Sequence, residues 1–159
     1  MKIVDTREYV SVLRGLTEEG HEVNMLISGN SMSPFLAHQR DYICFSKPDR
    51  PLKKGDMVFY QRDSGQFVMH RICRVCPDGT YDIVGDAQQE IEHGIRRDQI
   101  FARINRVKRK GRDIGSGDFW WDFFEKVWIR IIPMRRFIVK GYSVLARVRS
   151  FFYNTLKSS

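Results

Sequence analysis

From residue 23 to residue 109 the chain is cut into short apolar runs by tight-turn residues, and this alternation restricts the fold more than any other feature. "EVNMLIS", "DYICFSK", "MVFYQ", "QFVMHRICRV", "YDIV" and "QIFARINRVK" read as strands, rich in β-branched and aromatic side chains. Lys54, Gly55 and Asp56, then Ser64 and Gly65, then Asp78, Gly79 and Thr80 stand between them. Glycine there supplies positive φ, and aspartate hydrogen-bonds its own backbone. One helix leads the series: residues 5–20 space Tyr9, Val12, Leu13 and Leu16 at three and four, with Asp5 or Thr6 as cap and Gly20 as stop. The expected class is mainly β, a small and partly open antiparallel barrel-like domain with a short N-terminal helix and C-terminal amphipathic helices.

At 159 residues and 42% hydrophobic composition the chain can bury one sizeable core. The predicted division is a β domain with its helix over 1–110, a polar linker over 111–118 and a basic helical tail over 119–159. Charge interrupts every apolar run near the N-terminus, so no signal peptide is expected, and no run approaches the roughly 18 apolar residues of a spanning helix. Cys44, Cys73 and Cys76 are odd in number and fit a reducing compartment. Cys73 and Cys76 have CxxC spacing, but on a strand that spacing points side chains to opposite faces, and no second ligand pair lies nearby. They read as structural, and no metal or cofactor is expected.

Two segments could carry chemistry. "SGNSMSPFL" at 28–36 surrounds a methionine with hydroxyl and amide side chains, and "FVMHRI" places His70 on the same strand face as Val68 and Ile72. A histidine so placed is either a satisfied core residue or a base aimed into a cleft. Acyl transfer by serine needs a hydroxyl beside a base and N–H groups aimed at the developing oxyanion. Of the three serines, Ser31 follows the turn that Gly29 permits, Ser28 ends the preceding strand, and Ser33 precedes proline.

Taken in order, "SGNSMSP", "KKGDMVFY", "VMHRICRV", "YDIVGDA" and "IFARINRV" resemble the signal peptidase and repressor-autopeptidase superfamily, over residues 25 to about 107. Histidine followed by arginine in the fourth strand is similar to the branch found in the endoplasmic reticulum and archaea, which uses histidine where other branches use lysine. The resemblance implies a serine endopeptidase with Ser31 as nucleophile, His70 as general base and Asp86 as the acid supporting the imidazole. It also implies an extended peptide or preprotein substrate. Oxyanion support would come from backbone at Ser31 and Gly29, with Ser28 as helper, and Met32, Phe35 and Tyr42 are candidates for substrate pockets or for core. The box after Gly85 and Asp86 departs from the family pattern by continuing "AQQE", so Glu90 or Glu92 could supply the second acid.

The basic charge belongs to the tail: residues 1–102 hold 13 basic and 15 acidic residues, residues 103–159 hold 14 and 4. In the tail, Pro133 separates two helical pieces. The second carries an apolar stripe of Ile138, Tyr142, Leu145, Val148 and Phe152 with Arg136, Lys140 and Arg147 largely opposite. Aromatic residues grouped with arginines suit peripheral attachment to an anionic membrane, and the cytoplasmic face or a membrane partner is the expected location. Packing of the tail on its own domain is the alternative. Nucleic acid is disfavoured, since the aromatics form a face instead of separate stacking platforms. With only 27 residues ahead of Ser28, a helix-turn-helix plus linker does not fit before it. The rival to the enzyme is an inactive relative that binds a peptide or scaffolds a membrane complex.

Overall fold

The computed structural model describes residues 6–135 together with 137 and 138. The fold is mainly β, an open antiparallel sheet with a short N-terminal helix and a C-terminal helical cluster. Helix α1 (Thr6–Glu18) ends before Gly20, whose φ of 92° only glycine adopts freely. It buries Val10, Leu13 and Thr17, whereas Tyr9, Val12 and Leu16 from the expected stripe are exposed. The inward face is therefore rotated from the expected one. Thr17 can occupy it because its hydroxyl donates to the Arg14 carbonyl oxygen at 2.7 Å, which leaves no unpaired polar group.

The strands are β1 (Val23–Leu26), β2 (Tyr42–Ser46), β3 (Met57–Gln61), β4 (Phe67–Val75), β5 (Tyr81–Val84), β6 (Glu92–Ile95), β7 (Ile100–Arg109) and β8 (Arg112–Gly115). Their order is β1-β2-β7-β3-β4-β5-β6, with β8 also on β7, and β1 and β6 stand at the two ends. Long β7 binds β2 through 103–108 while its other side serves β3 early and β8 late. Strand β8 lies inside the expected linker. Lys110 and Gly111, with φ of 50° and 80°, make the two-residue turn that returns it to β7, so residues 112–115 belong to the sheet.

Alternation along β4 sorts the core. Val68 and Ile72 meet Val58, Tyr60 and Ile83 on one face; Phe67 and Met69 join Phe59 and Phe101 on the other, under α1. The second face is closed by the start of the expected tail. Helix α2 (Phe119–Asp122) runs into a π-helical turn (Phe123–Val127) and two 3₁₀ turns, the last (Ile132–Met134) containing Pro133. Trp121, Phe124, Trp128 and Ile129 are buried, so this part is packed on the domain. Apart from Ile138, the expected apolar stripe at Tyr142, Leu145, Val148 and Phe152 lies outside the described residues, as do Lys140 and Arg147. Among the described residues no helix is long and apolar enough to cross a membrane.

Candidate active site

The Ser31 loop leaves β1 through Gly29, where φ is 97°. Its tail is anchored in the core: Met32 and Phe35 are 2% and 0% exposed, and the Phe35 ring packs against Phe124 (4.8 Å) and Trp121 (6.2 Å). That placement answers the choice left open for these two residues. They are core residues and hold the loop down. Tyr42, in contrast, is 46% exposed and borders a shallow depression with Asn24, Arg106 and Lys108 on the outer face of β1, β2 and β7. Its side chain alternates away from the core, as Ile43 and Phe45 face inward.

The loop meets the sheet through backbone. Ala87 N–H donates to the Ser31 carbonyl oxygen at 2.8 Å, and a Cβ on Gly85 would lie 2.7 Å from that same oxygen. Gly85 must be glycine for the loop to come this close. The register explains why this contact faces His70. Arg71 pairs with Val84, so Gly85 stands one residue beyond, beside His70 on the neighbouring strand.

His70 is 2% exposed and shares its face with Tyr60. Its Nδ1 lies 3.3 Å from the Tyr60 hydroxyl and 3.5 Å from Glu92 Oε1. Tyr60 donates its one proton to Glu92 Oε1 at 2.8 Å, and Arg62 holds both Glu92 oxygens, through Nε at 2.8 Å and through Nη2. Burial pulls the Glu92 carboxyl up, but hydrogen bonds from Arg62 and Tyr60 outweigh it and keep the group below the ordinary carboxylate range. Burial, then Glu92, pushes the Tyr60 phenol far above its ordinary value. A carboxylate can only accept and the phenol proton is committed, so the hydrogen facing them must sit on His70 Nδ1. The other ring nitrogen, Nε2, then carries the free lone pair. Burial lowers the imidazole to about 4, against the pull of Glu92, so the ring is neutral at pH 7.

Asp86, expected to support the imidazole, makes its hydrogen bonds to Arg71, while its charge still favours a proton on His70. Both its oxygens bind Arg71, Oδ1 to Nε at 3.0 Å and Oδ2 to Nη2 at 2.9 Å, and Arg71 also donates to the Gly55 carbonyl oxygen at 2.9 Å. Arg71 alternates to the face opposite His70 and lies over the Phe35 ring at 5.6 Å. Asp86 therefore props the loop from beneath, and the acid that contacts the imidazole is Glu92. Glu90 is exposed. Of the glycine-aspartate pair at 55 and 56, Asp56 is held by Arg50 at 2.7 and 2.9 Å, while Gly55 is pressed by Glu125 so closely that a Cβ would lie 2.6 Å from its side chain.

The expected oxyanion donors fare unequally. Gly29 N–H donates to His38 Nδ1 at 2.9 Å and is therefore taken; Ser28 is exposed. Among the described residues, no backbone carbonyl accepts from the N–H groups of Ser31 and Met32, and the hydrogen-bond contact of the His70 ring is to the Tyr60 hydroxyl and not to Ser31 Oγ. Ser33 donates its hydroxyl to the Leu36 carbonyl oxygen at 3.3 Å. Tyr60 and Arg62 are the functional candidates that sequence reasoning passed over. Only the pairing of β3 with β4, which sets Tyr60 opposite Val68 and diagonal to His70, brings them in.

Cys73 is buried and donates to the Asp82 carbonyl oxygen at 3.2 Å, while Cys76 is half-buried beyond the strand end. Among the described residues no group of histidine, cysteine and acidic side chains has the arrangement of a metal site. Comparison with known proteins finds no matching family model and no curated protein of similar sequence.

Proposed function

We propose that this chain is a serine endopeptidase of signal peptidase-like type, cutting an extended peptide or precursor through an acyl-enzyme. The observation that carries the reading is the hydrogen-bond chain from Arg62 through Glu92 and Tyr60 to His70 Nδ1. It fixes the imidazole as the Nδ1–H tautomer, which presents an unprotonated Nε2 as a base. Ser31 Oγ attacks the peptide carbonyl carbon as Nε2 takes its proton, and the leaving amine receives that proton as the C–N bond breaks. Water, deprotonated by the same nitrogen, then hydrolyses the ester and restores Ser31. The unengaged N–H groups of Ser31 and Met32 are the donors offered to the oxyanion, in place of Gly29. In this scheme Glu92 and Tyr60 orient the base, the part expected of Asp86. The chemistry needs no cofactor.

The decisive experiment is peptide cleavage followed by mass spectrometry, with a diverse peptide pool and anionic lipid, for the intact chain, Ser31→Ala and His70→Ala. Loss of cleavage in both variants supports the assignment; cleavage unchanged in both removes it. One observation favours a second reading, a peptide-binding protein without catalysis: among the described residues the hydrogen-bond contact of His70 is to Tyr60 and not to Ser31 Oγ. That reading requires an intact chain that binds extended peptides and cuts none.

We also infer peripheral attachment to an anionic membrane. Phe119 and Trp120 are 72% and 47% exposed, their rings lie 5.2 Å apart, and the Arg109 guanidinium sits 5.3 Å from the Trp120 ring. Aromatic side chains beside arginine suit the headgroup region. Trp121 and Trp128 are buried, so a lipid-induced change in tryptophan emission is read from Trp120. A blue shift on adding phosphatidylglycerol vesicles, absent in Trp120→Ser, is expected; unchanged emission rejects this contact.

A further inference from the structure

The turn that holds Ser31 is itself held by side chains forty or more residues downstream. Arg135, 2% exposed, donates through Nη1 to the carbonyl oxygens of Gly85 (2.9 Å) and Gln88 (3.2 Å). Its Nε and Nη2 donate to the Trp128 carbonyl oxygen at 3.2 and 3.0 Å, and the guanidinium stacks 5.4 Å from the Trp128 ring. Trp128 Nε1–H in turn donates to the Asp86 carbonyl oxygen at 2.9 Å. Three of the four carbonyls from Gly85 to Gln88 are thus taken by two side chains. The remaining residue, Ala87, uses its N–H on Ser31.

A buried cation served by carbonyl oxygens is a costly arrangement unless its geometry is well fixed, because backbone dipoles replace the hydration shell only when they point at it. Arg135 fits that description, and burial lowers its affinity for the proton. The turn cannot shift without unpairing the guanidinium, and the Ser31 carbonyl cannot shift without unpairing Ala87. Rigidity passes from the C-terminal segment to the peptide that carries the Ser31 side chain.

We propose that Arg135 and Trp128 are positioning residues for Ser31, acting through the carbonyls of the Gly85–Gln88 turn. The catalytic part of this proposal rests on the reading of Ser31 as nucleophile; the mechanical part does not. Neither residue touches the peptide to be cut. Their removal loosens the loop and leaves the imidazole chain of Arg62, Glu92 and Tyr60 in place.

The test uses the full chain with Trp128→Phe, which keeps an aromatic ring, smaller than the indole, and removes the N–H, and Arg135→Met, with Arg135→Lys as the conservative comparison. The first readout is hydrogen exchange at the Ala87 amide by NMR, which requires no activity. Exchange about tenfold faster or more is expected in Trp128→Phe and Arg135→Met, with amides of β3 and β4 unchanged. Should Arg135→Met fail to fold, Trp128→Phe decides alone. The second readout is peptide cleavage: kcat falls about tenfold with KM within twofold, and Arg135→Lys recovers part of the loss. Unchanged Ala87 exchange in Trp128→Phe overturns the proposal. If the intact chain cleaves nothing, the nucleophile reading fails while the exchange result still decides the coupling.

Discussion

Replacing Asp86 by asparagine separates two roles that one carboxylate could play. Both carboxylate oxygens bind an Arg71 that is 1% exposed, and Asp86 is fully buried. Asparagine keeps the size and one acceptor but removes the charge, leaving the guanidinium with the Gly55 carbonyl and the Phe35 ring as its other contacts. Removing one partner of a buried pair costs about 3–5 kcal/mol. The retained amide oxygen places Asp86→Asn near about 3 kcal/mol, a large part of the roughly 5–15 kcal/mol of a typical domain. With a slope of about 1–3 kcal/mol per molar urea, the unfolding midpoint moves down by about 1–3 M. Arg71→Met should behave similarly, because it strands the carboxylate instead. The double variant Arg71→Met with Asp86→Leu should lose less than the sum of the two, by about 2 kcal/mol or more, since an apolar pair replaces an ion pair nearly neutrally. The assay is urea unfolding at pH 7.5 followed by tryptophan emission, run beside an NMR titration of His70, whose ring should remain neutral at that pH in Asp86→Asn. A variant that loses less than about 1 kcal/mol yet cleaves a hundredfold more slowly would refute this reasoning and restore Asp86 as the support of His70.

Other outcomes follow from single groups. Burial holds the His70 imidazole near 4 against an ordinary value of 6.5, so below pH 6.5 the unfolded chain takes up a proton that the folded chain refuses. Its contribution is complete above pH 6.5 and is lost toward pH 4, by about 1.4 kcal/mol per unit and about 3 kcal/mol in all. His70→Gln should lose correspondingly less between urea melts at pH 7.5 and 4.5, and a His70 titration midpoint near 6.5 would contradict this. Gly85→Ala puts a methyl 2.7 Å from the Ser31 carbonyl oxygen and should destabilise by about 1–3 kcal/mol in thermal melts while speeding Ala87 exchange; a variant as stable as the parent would show that the loop yields freely. Burial, then Glu22, raises the Cys44 thiol to about 11, so at pH 8 iodoacetamide should label Cys76 first and Cys44 only on unfolding, as peptide mapping can check.

The hairpins of the sheet were legible because turn chemistry is local: Gly55, Gly65 and Gly79 all adopt the positive φ that the sequence predicts for them. Strand β8 was hidden because Ile114 is its one apolar residue and is only half-buried, so the surrounding charge reads as linker. Strand β6 was hidden for a similar reason, with Ile95 its one buried residue. On α1 the period was correct and the phase was not, since Thr17 outbids Leu16 for the interior through a hydrogen bond no hydropathy pattern contains. At the site, His70 was found as a lone imidazole in an apolar strand, but its partners depend on pairing. Glu92 and Tyr60 lie 32 residues apart in sequence and meet only through the β3–β4–β5–β6 ladder. The pairing of Asp86 with Arg71 was not legible, because a glycine-aspartate pair says where a carboxylate stands and not which face it turns to.

The aromatic lid over Phe35 also bears on the order in which a ribosome presents this chain. Residues 31–36 emerge early, yet Trp121 and Phe124, which close over Phe35, and Trp128 and Arg135, which fasten the supporting turn, emerge about ninety to a hundred residues later. At about 5–20 residues per second that gap is several seconds or more. Through that interval the Ser31 loop lacks both its lid and its brace. A nascent chain therefore carries the Ser31 loop without its packed surroundings, and completion of the C-terminal cluster is the step that closes them.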